Sequence, residues 1–213
     1  DKPFLLYLCS SQFIPPDEAV FIEKWVHAVR SAPDPRVRQL GILIRPHPEN
    51  AQPWQRFDEP DLTGTVICPR GGANPGDQAS KNDYFDSMYH SAAAVGINTS
   101  AQIESGIVGH PVFSVRVAEY AGTQEGTLHF HYLLNENGGL LHMAGSLDEH
   151  VRDLTKAIDR TEEDDRRLWS FVEGFVRPAG LDRPATPILA DAIEDLARMP
   201  KPAPWRPGVG LLL

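Results

Sequence analysis

Several features are scarce in this sequence of 213 residues, and each shortage excludes a class of protein. There are two cysteines, Cys9 and Cys68, and no CxxC pair, which excludes a zinc site built on cysteines. No apolar run approaches the roughly 20 residues that a transmembrane helix needs. The apolar stretch near the start, residues 4–8, is too short for a signal peptide. Lys and Arg number 20 against 29 Asp and Glu, which disfavours a nucleic acid as partner.

The rest of the composition is that of a globular chain with a core. Hydrophobic residues make up 41% and charged residues 23% of the sequence, which excludes a disordered tail. The length suits one large domain or two small ones. Because both cysteines lie in apolar, strand-like segments, we interpret them as small buried residues of a reduced, cytosolic chain.

Short apolar segments alternate with helical patterns over the first 115 residues. We predict strands at residues 4–9, 40–44, 64–68, 92–97 and 112–115. We predict helices from a cap at Asp17 to Arg30, over residues 82–91 and over residues 101–108. This alternation is typical of an α/β protein with a Rossmann-like, doubly wound parallel sheet. Such sheets bind ligands at the carboxyl ends of their strands.

The pattern weakens after residue 115. Residues 116–140 are rich in loops and contain TLHFHYLL, where a strand would place His129 and His131 on one face. A metal could use that face, but a strand with one polar face is the favoured interpretation. Helices follow at 147–160, capped by Ser146, at 162–175 and at 190–198. The predicted organisation is a Rossmann-like core at 1–145, helices packed on it at 146–199, and an extended tail at 200–213.

The segment IRPHP places Arg45 and His47 just after a buried strand, at the end where a ligand would lie. Arginine offers a planar fork for phosphate. Histidine donates a hydrogen bond to a phosphate oxygen or serves as an acid or base. The flanking Pro46 and Pro48 fix the turn. The alternative is a rigid surface turn with two solvated polar residues, and the spacing alone favours neither.

The segment GINTSAQIESG predicts a strand that leads into a capped helix. Thr99 or Ser100 would be the cap, and the free amides and hydroxyls there would form an anion site. Glu104 lies one helical turn after Ser100, where a carboxylate is placed to accept hydrogen bonds from ribose hydroxyls. Taken alone, a well-capped helix without a ligand is the better explanation. Ser10 and Ser11 follow the first strand and could face the same crevice, although an ordinary turn explains them better.

In their order and spacing, these features resemble a known family, the C-terminal, nucleotide-binding half of GT-B glycosyltransferases of bacterial surface-polysaccharide synthesis. The closest groups are the capsule polysaccharide and Kdo-transferase type and the CDP-glycerol glycerophosphotransferase type. The resemblance runs from the first strand to about residue 198. It rests on a His-Pro pair at 47–48, a Thr-Ser pair at 99–100 followed by Glu104, a G-x-P-V turn at 109–112 and a closing segment at 177–189.

The resemblance implies that the chain binds a nucleotide-activated donor, such as a CMP-, CDP- or UDP-linked sugar, as a substrate. Arg45 and His47 would contact its phosphates or ribose. Thr99 and Ser100, with the helix amides, would hold the phosphates, and Glu104 would bind the ribose. The resemblance requires no metal, because hydrogen-bond donors and the helix dipole can carry the charge of the leaving group. No cofactor is implied.

The nucleotide base would lie against residues 69–72 and the start of the next helix, at Asp83 and Tyr84. Arg70 adds a local positive charge to a chain whose net charge is -9. Asn98 stands where many relatives have an acidic or aromatic residue, which leaves the donor type open. The full predicted set is Ser10, Ser11, Arg45, His47, Pro48, Arg70, Tyr84, Asn98, Thr99, Ser100 and Glu104.

GT-B enzymes have two Rossmann-like domains, and the first holds most of the acceptor site and the usual catalytic base. This chain begins at a strand, so we expect a fragment, a subunit that needs a partner, or a non-catalytic relative, without turnover of its own. We assign no catalytic residue. The resemblance places such a protein in the cytoplasm, free or at the inner face of the membrane. Two alternatives stay open: an interaction module that uses residues 147–198 and Trp205, and a sugar-nucleotide epimerase of related fold.

Overall fold

Six strands form one parallel sheet in the computed structural model, which describes residues 2–55, 62 and 64–201. The strands are β1 (Phe4–Leu8), β2 (Gly41–Arg45), β3 (Thr65–Ile67), β4 (Ala93–Val95), β5 (Val112–Val115) and β6 (Leu141–Ala144). Their order across the sheet is β3-β2-β1-β4-β5-β6, which confirms the predicted doubly wound, Rossmann-like α/β fold. The chain direction across the sheet reverses between β1 and β4, so the loops after these strands border a crevice.

Helices connect the strands and close the chain. They are α1 (Glu18–Arg30), α2 (Pro35–Arg38), α3 (Gln52–Gln55), α4 (Gln78–Tyr89), α5 (Ala101–Ile107), α6 (Leu128–Leu133), α7 (Leu147–Ile158), α8 (Glu162–Phe171) and α9 (Ala185–Arg198). Three 3-10 turns lie at Pro48–Asn50, Ala118–Tyr120 and Asn135–Asn137, and a π-helical turn lies at Val172–Val176. The alternation over the first five strands follows the predicted order.

The centre of the sheet is buried on both faces, as its continuous apolar strands predict. Leu6 of β1 is fully buried and pairs with Leu43 of β2 and with Ala94 of β4. On one face α1 and α7 complete the core, where Trp25 donates a hydrogen bond from Nε1 to Nε2 of His150 at 2.8 Å. Burial lowers the pKa of His150 to about 4, so this imidazole is neutral at pH 7.

Helix α4 begins four residues before its predicted start at residue 82. Asp77 accepts a hydrogen bond from the amide of Ser80, and the Ser80 hydroxyl accepts one from the amide of Asp77. This reciprocal cap satisfies two amides of the first turn and fixes the start of the helix at Gln78. The predicted Ser146 cap of α7 is confirmed, since its hydroxyl accepts from the amide of Glu149.

Three sequence predictions are wrong. The segment TLHFHYLL is not a strand, because residues Leu128–Leu133 form helix α6. On a helix, residues two positions apart such as His129 and His131 lie on different faces. The sheet has a sixth strand at Leu141–Ala144, beyond the last predicted one. Cys9 is buried as expected, but Cys68 is exposed because β3, which it follows, is a half-exposed edge strand.

Two compact units divide the chain, residues 1–172 and residues 173–213. The first holds the whole sheet and helices α1 to α8. In the second, α9 has no buried residue, and Arg198 pairs with Glu194 and Asp195 near its end. Most of the predicted tail lies outside the described residues. No helix in the described part of the chain is long and apolar enough to cross a bilayer.

Candidate functional site

A cavity of about 240 Å³ opens at the carboxyl ends of β1, β2 and β4. This is the end of a doubly wound sheet where ligands bind. Its walls are formed by Leu8, Cys9, Arg45, Pro46, His47, Pro48, Pro69, Ala73, Asn74, Pro75, Tyr84, Thr99, Ser100, Ala101 and Glu104.

Most of the predicted ligand-binding residues meet at this cavity, namely Arg45, His47, Pro48, Tyr84, Thr99, Ser100 and Glu104. Ser10 and Asn98 are buried, and their polar atoms bond to other protein groups. Ser11 and Arg70 do not line the cavity. For all eleven predicted residues, contact with a ligand stays a prediction.

Arg45 is the last residue of β2, and its guanidinium is almost completely covered. It donates to Oδ2 of Asp83 at 2.8 Å and lies 5.3 Å from the centre of the Tyr84 ring. The ring holds the guanidinium in place by a cation–π contact. Asp83 is largely exposed, so water competes with Arg45 for hydrogen bonds to its carboxylate. A ligand phosphate at the cavity would therefore compete with an exposed carboxylate for a buried arginine.

His47 lies in the turn after β2 with one ring nitrogen already occupied. Its Nδ1 accepts a hydrogen bond from the amide of Glu49 at 3.1 Å. In the neutral ring the proton therefore sits on Nε2, which makes that atom a donor. The turn is held from outside by Gly72, since a Cβ on this residue would lie 2.8 Å from Cα of Pro48. The arrangement makes His47 a hydrogen-bond donor, which is one of the roles that the sequence left open.

The turn after β4 carries Thr99 and Ser100 without the predicted side-chain cap. Gln102 Oε1 accepts a hydrogen bond from the amide of Thr99 at 3.1 Å, which is one half of a capping box, but the Thr99 hydroxyl does not form the other half. Gln102 is fully buried and also donates to the carbonyl of Gly96 at 3.0 Å. The buried glutamine thus does the capping, and neither hydroxyl is used as a cap.

The amides of the next residues are largely engaged within the same turn. Those of Gln102, Ile103 and Glu104 donate to the carbonyls of Thr99 and Ser100. Helix α5 has seven residues, so it provides a short dipole at most. These bonds occupy three of the helix amides, so the Thr99 and Ser100 hydroxyls, which the sequence also offered as donors, gain weight as contacts for an anion.

Glu104 lies at the rim of the cavity and is bonded to Tyr84. The Tyr84 hydroxyl donates to Oε2 of Glu104 at 2.6 Å. Burial and this carboxylate raise the pKa of Tyr84, so the phenol keeps its proton. One oxygen of Glu104 is therefore occupied in this structure, and the other is open to a ligand hydroxyl.

Buried polar residues behind the cavity were missed by the sequence reasoning. Glu18 is 1% exposed, and its carboxyl accepts from the amide of Ser10 at 2.8 Å and from the hydroxyl of Tyr7 at 3.3 Å. Burial raises the pKa of Glu18 to about 8. Gln124, in the loop after β5, is fully buried as well. A polar residue at an apolar position of the helical pattern was the available signal for Glu18, whereas Gln124 lies in a segment without periodicity.

The alternative of a metal site at His129 and His131 finds no further ligands among the described residues. In the part of the chain that the structure describes, no three His, Cys, Asp or Glu side chains come together as a metal site would require. His131 Nε2 lies 2.6 Å from the carbonyl of Glu125. Two larger cavities, of about 340 and 490 Å³, are lined by residues at the amino ends of strands and contain none of the predicted residues.

Comparisons with known proteins bear on the fold. No family model and no curated protein matches the sequence. Among solved structures, a glycotransferase of kitacinnamycin superposes with a TM-score of 0.54 at 12% identity, covering 91% of this chain and 43% of that chain. This likeness shows a glycosyltransferase-like α/β fold, and the chain spans less than half of that glycotransferase.

Two UDP-GlcNAc 2-epimerases superpose less well. The enzyme from Methanocaldococcus jannaschii gives a TM-score of 0.42 at 14% identity, over 75% of this chain and 39% of that chain. The enzyme from Neisseria meningitidis, bound to UDP-GlcNAc, gives 0.44 at 13% identity, over 91% of this chain and 45% of that chain.

Proposed function

We propose that this chain is the donor-binding domain of a glycosyltransferase-like protein and that its cavity takes a nucleotide-activated sugar. One observation carries the proposal. An arginine, a histidine, two hydroxyls and a carboxylate meet at the carboxyl ends of β2 and β4, in the crevice where doubly wound sheets bind ligands. The glycosyltransferase-like fold supports the same conclusion.

The chemistry of the cavity divides between phosphate and ribose. The Nε2 proton of His47 and the hydroxyls of Thr99 and Ser100 donate to phosphate oxygens, and Arg45 adds the positive charge. Glu104 accepts from a ribose hydroxyl through the oxygen that Tyr84 leaves open. The base lies in the part of the cavity walled by Pro69, Ala73 and Pro75. This division requires no metal to neutralise the phosphates.

The finer proposal follows the family resemblance. The donor is CMP-, CDP- or UDP-linked, and the product is a surface polysaccharide made on the cytoplasmic side, with the protein free or at the inner membrane face. The acceptor site and catalytic base come from a further domain or a partner subunit. We therefore expect the chain alone to bind a donor without releasing its nucleotide. Incubation with UDP-, CDP- and CMP-linked sugars, followed by assay of the freed nucleotide, tests this expectation.

Calorimetric titration of the folded chain with UDP, CDP and CMP tests the binding proposal. We expect heat of binding with at least one nucleotide, and His47→Ala or Glu104→Ala to weaken it by about 1–3 kcal/mol through loss of a charged or polar contact. His27→Ala and Glu162→Ala are matched controls, because both residues are exposed and lie outside the cavity. Absence of heat with all three nucleotides rejects the proposal, and it favours an interaction module whose crevice binds no nucleotide. Unchanged affinity in both cavity variants rejects the assigned roles.

A further inference from the structure

We infer that the buried Asn98 and Gln124 and the partly buried Thr123 form a hydrogen-bonded brace that positions the Thr99–Ser100 turn for the donor phosphates. The inference rests on the proposed function for the identity of the ligand. None of the three residues lines the cavity, so they act through the turn and are positioning residues.

The two residues just before the turn are held from separate parts of the chain. Asn98 is 7% exposed, and its amide donates to Oγ of Ser10 at 3.3 Å. Its side chain donates from Nδ2 to the carbonyl of Thr123 at 2.9 Å. The loop after β1 and the loop after β5 therefore both fix the backbone that leads into Thr99. This position explains the burial of an asparagine that the sequence offered as a ligand contact.

Gln124 fixes the residue before Asn98. Its Nε2 lies 3.2 Å from the carbonyl of Ile97 and 2.9 Å from the carbonyl of Val115, and its Oε1 accepts from the amide of Val117 at 3.3 Å. The Ser114 hydroxyl also donates to the carbonyl of Ile97, at 3.1 Å. The carbonyls of Ile97 and Val115 need a donor and the amide of Val117 needs an acceptor. The side-chain amide of Gln124 supplies both. The end of β4 is thereby tied to the end of β5.

Thr123 closes the brace onto the first loop. Its Oγ1 donates to the carbonyl of Ile14 at 2.7 Å and also lies 3.1 Å from the carbonyl of Tyr120. The carbonyl of Thr123 itself receives the bond from Asn98. Ser10, which accepts from Asn98, is anchored in turn on the buried carboxyl of Glu18. The loops after β1, β4 and β5 thus form one connected unit below the two hydroxyls. The Thr99–Ser100 turn, whose own hydroxyls form no cap, gains its order from this unit together with Gln102.

The first test compares Thr123→Val with Thr123→Ser, since the first removes the hydroxyl at nearly constant shape and the second keeps it. We expect Thr123→Val to weaken UDP binding about tenfold and to speed hydrogen exchange of the Asn98 and Thr99 amides about tenfold. Thr123→Ser should stay within about twofold of wild type in both measurements. Thr155→Val is the matched control, because Thr155 makes the same hydroxyl-to-carbonyl bond within α7. If Thr123→Val does not fold, Asn98→Ala replaces it, which removes another bond of the brace, the one from Asn98 Nδ2 to the Thr123 carbonyl.

The two measurements separate the brace from the proposed function. If wild type does not bind UDP, CDP or CMP, the proposed function fails and exchange alone decides on the brace. Exchange at Asn98 and Thr99 that is unchanged in Thr123→Val overturns the brace. Faster exchange with undiminished UDP affinity overturns its role in positioning the phosphates. If Thr155→Val speeds exchange and weakens UDP binding as much as Thr123→Val, the effect is not specific to the brace, because it would then reflect a general loss of stability.

Discussion

The two sides of the cavity are held together by different kinds of contact. On the side of β1, β4 and β5, buried polar groups bond to backbone atoms, as Asn98 does to the Thr123 carbonyl. On the side of β2 and α4, side chains bond to exposed carboxylates, as Arg45 does to Asp83 and Tyr84 to Glu104. We call the first the braced side and the second the open side.

This difference indicates how a ligand would be received. Buried bonds to backbone carbonyls are costly to break, so the braced side keeps its geometry with or without a ligand. On the open side, water already reaches the carboxylates of Asp83 and Glu104. A nucleotide can therefore replace their bonds to Arg45 and Tyr84 at little cost in free energy. The phosphate contacts would then be preorganised, while Tyr84 and Asp83 adjust to the ribose and base.

The largest effect is expected at Glu18, under the braced side. Its pKa is about 8 in the folded protein against 4.5 when free, so the folded state favours the protonated form. Its contribution to stability is fully present below pH 4.5 and is lost as the pH rises through 8, by up to roughly 4 kcal/mol. Glu18→Gln should remove this loss, because an amide stays neutral and still accepts from the Ser10 amide.

Urea unfolding of wild type and Glu18→Gln at several values between pH 5 and 8 measures the effect. We expect the free energy of unfolding to fall more steeply with pH in wild type than in the variant. Glu162→Gln, an exposed substitution on α8, should follow the wild-type slope. His150 titrates in the opposite sense, since its lowered pKa removes stability as the pH falls below 6.5, but it contributes equally to both proteins. Parallel slopes would show that Glu18 is not held neutral.

A smaller effect is expected at Tyr84, on the open side. Tyr84→Phe keeps the ring against Arg45 and frees the second oxygen of Glu104. We expect UDP to bind about three- to tenfold more tightly, while the affinity for 2′,3′-dideoxy-UDP stays unchanged, because the gain requires ribose hydroxyls. Titration of both proteins with both nucleotides measures it. A gain of the same size for the dideoxy nucleotide would contradict the role of Glu104.

The smallest effect is expected at Asp83. Asp83→Asn removes the charge from an ion pair whose carboxylate is 61% exposed, so the free energy of unfolding should change by less than about 1 kcal/mol. Removal of a competing carboxylate should at the same time leave or raise the affinity for UDP. Unfolding in urea and titration with UDP test the two parts. If Asp83→Asn lowered the free energy of unfolding as much as Asn98→Ala on the braced side, the distinction between the two sides would be wrong.

Much of the fold could be predicted from the sequence, because buried parallel strands read as short apolar runs. The strands β1, β2, β4 and β5 follow this rule, and β3 could be predicted as well although it is a half-exposed edge strand. The rule failed at TLHFHYLL, where the apolar residues fit one turn of helix as well as a strand. It also missed β6, since its sequence LHMA is short and contains a half-buried histidine. The early start of α4 could not be predicted, because the reciprocal cap between Asp77 and Ser80 is evident only in the structure.

The cavity could be predicted in part for the same reason. Arg45 and His47 follow one predicted strand and Thr99 another, and the ends of parallel strands meet at one edge of the sheet. The brace could not be predicted, because its bonds join side chains to backbone carbonyls between positions such as Thr123 and Ile14, far apart in sequence. Because every residue has a backbone carbonyl, the sequence does not indicate which carbonyl will accept a side-chain hydrogen bond. Tertiary structure alone reveals that Asn98 points into the protein.

The most direct measurement of the central claim is the change in amide chemical shifts when UDP, CDP or CMP is added to the isotope-labelled chain. We expect the largest shifts at His47, Ser100, Ala101 and Glu104, with smaller ones at Tyr84. The amides around the two cavities at the amino ends of the strands, such as that of His142, should stay unchanged. Shifts confined to those cavities, or no shifts with any of the nucleotides, would contradict a donor site at the carboxyl ends of β2 and β4.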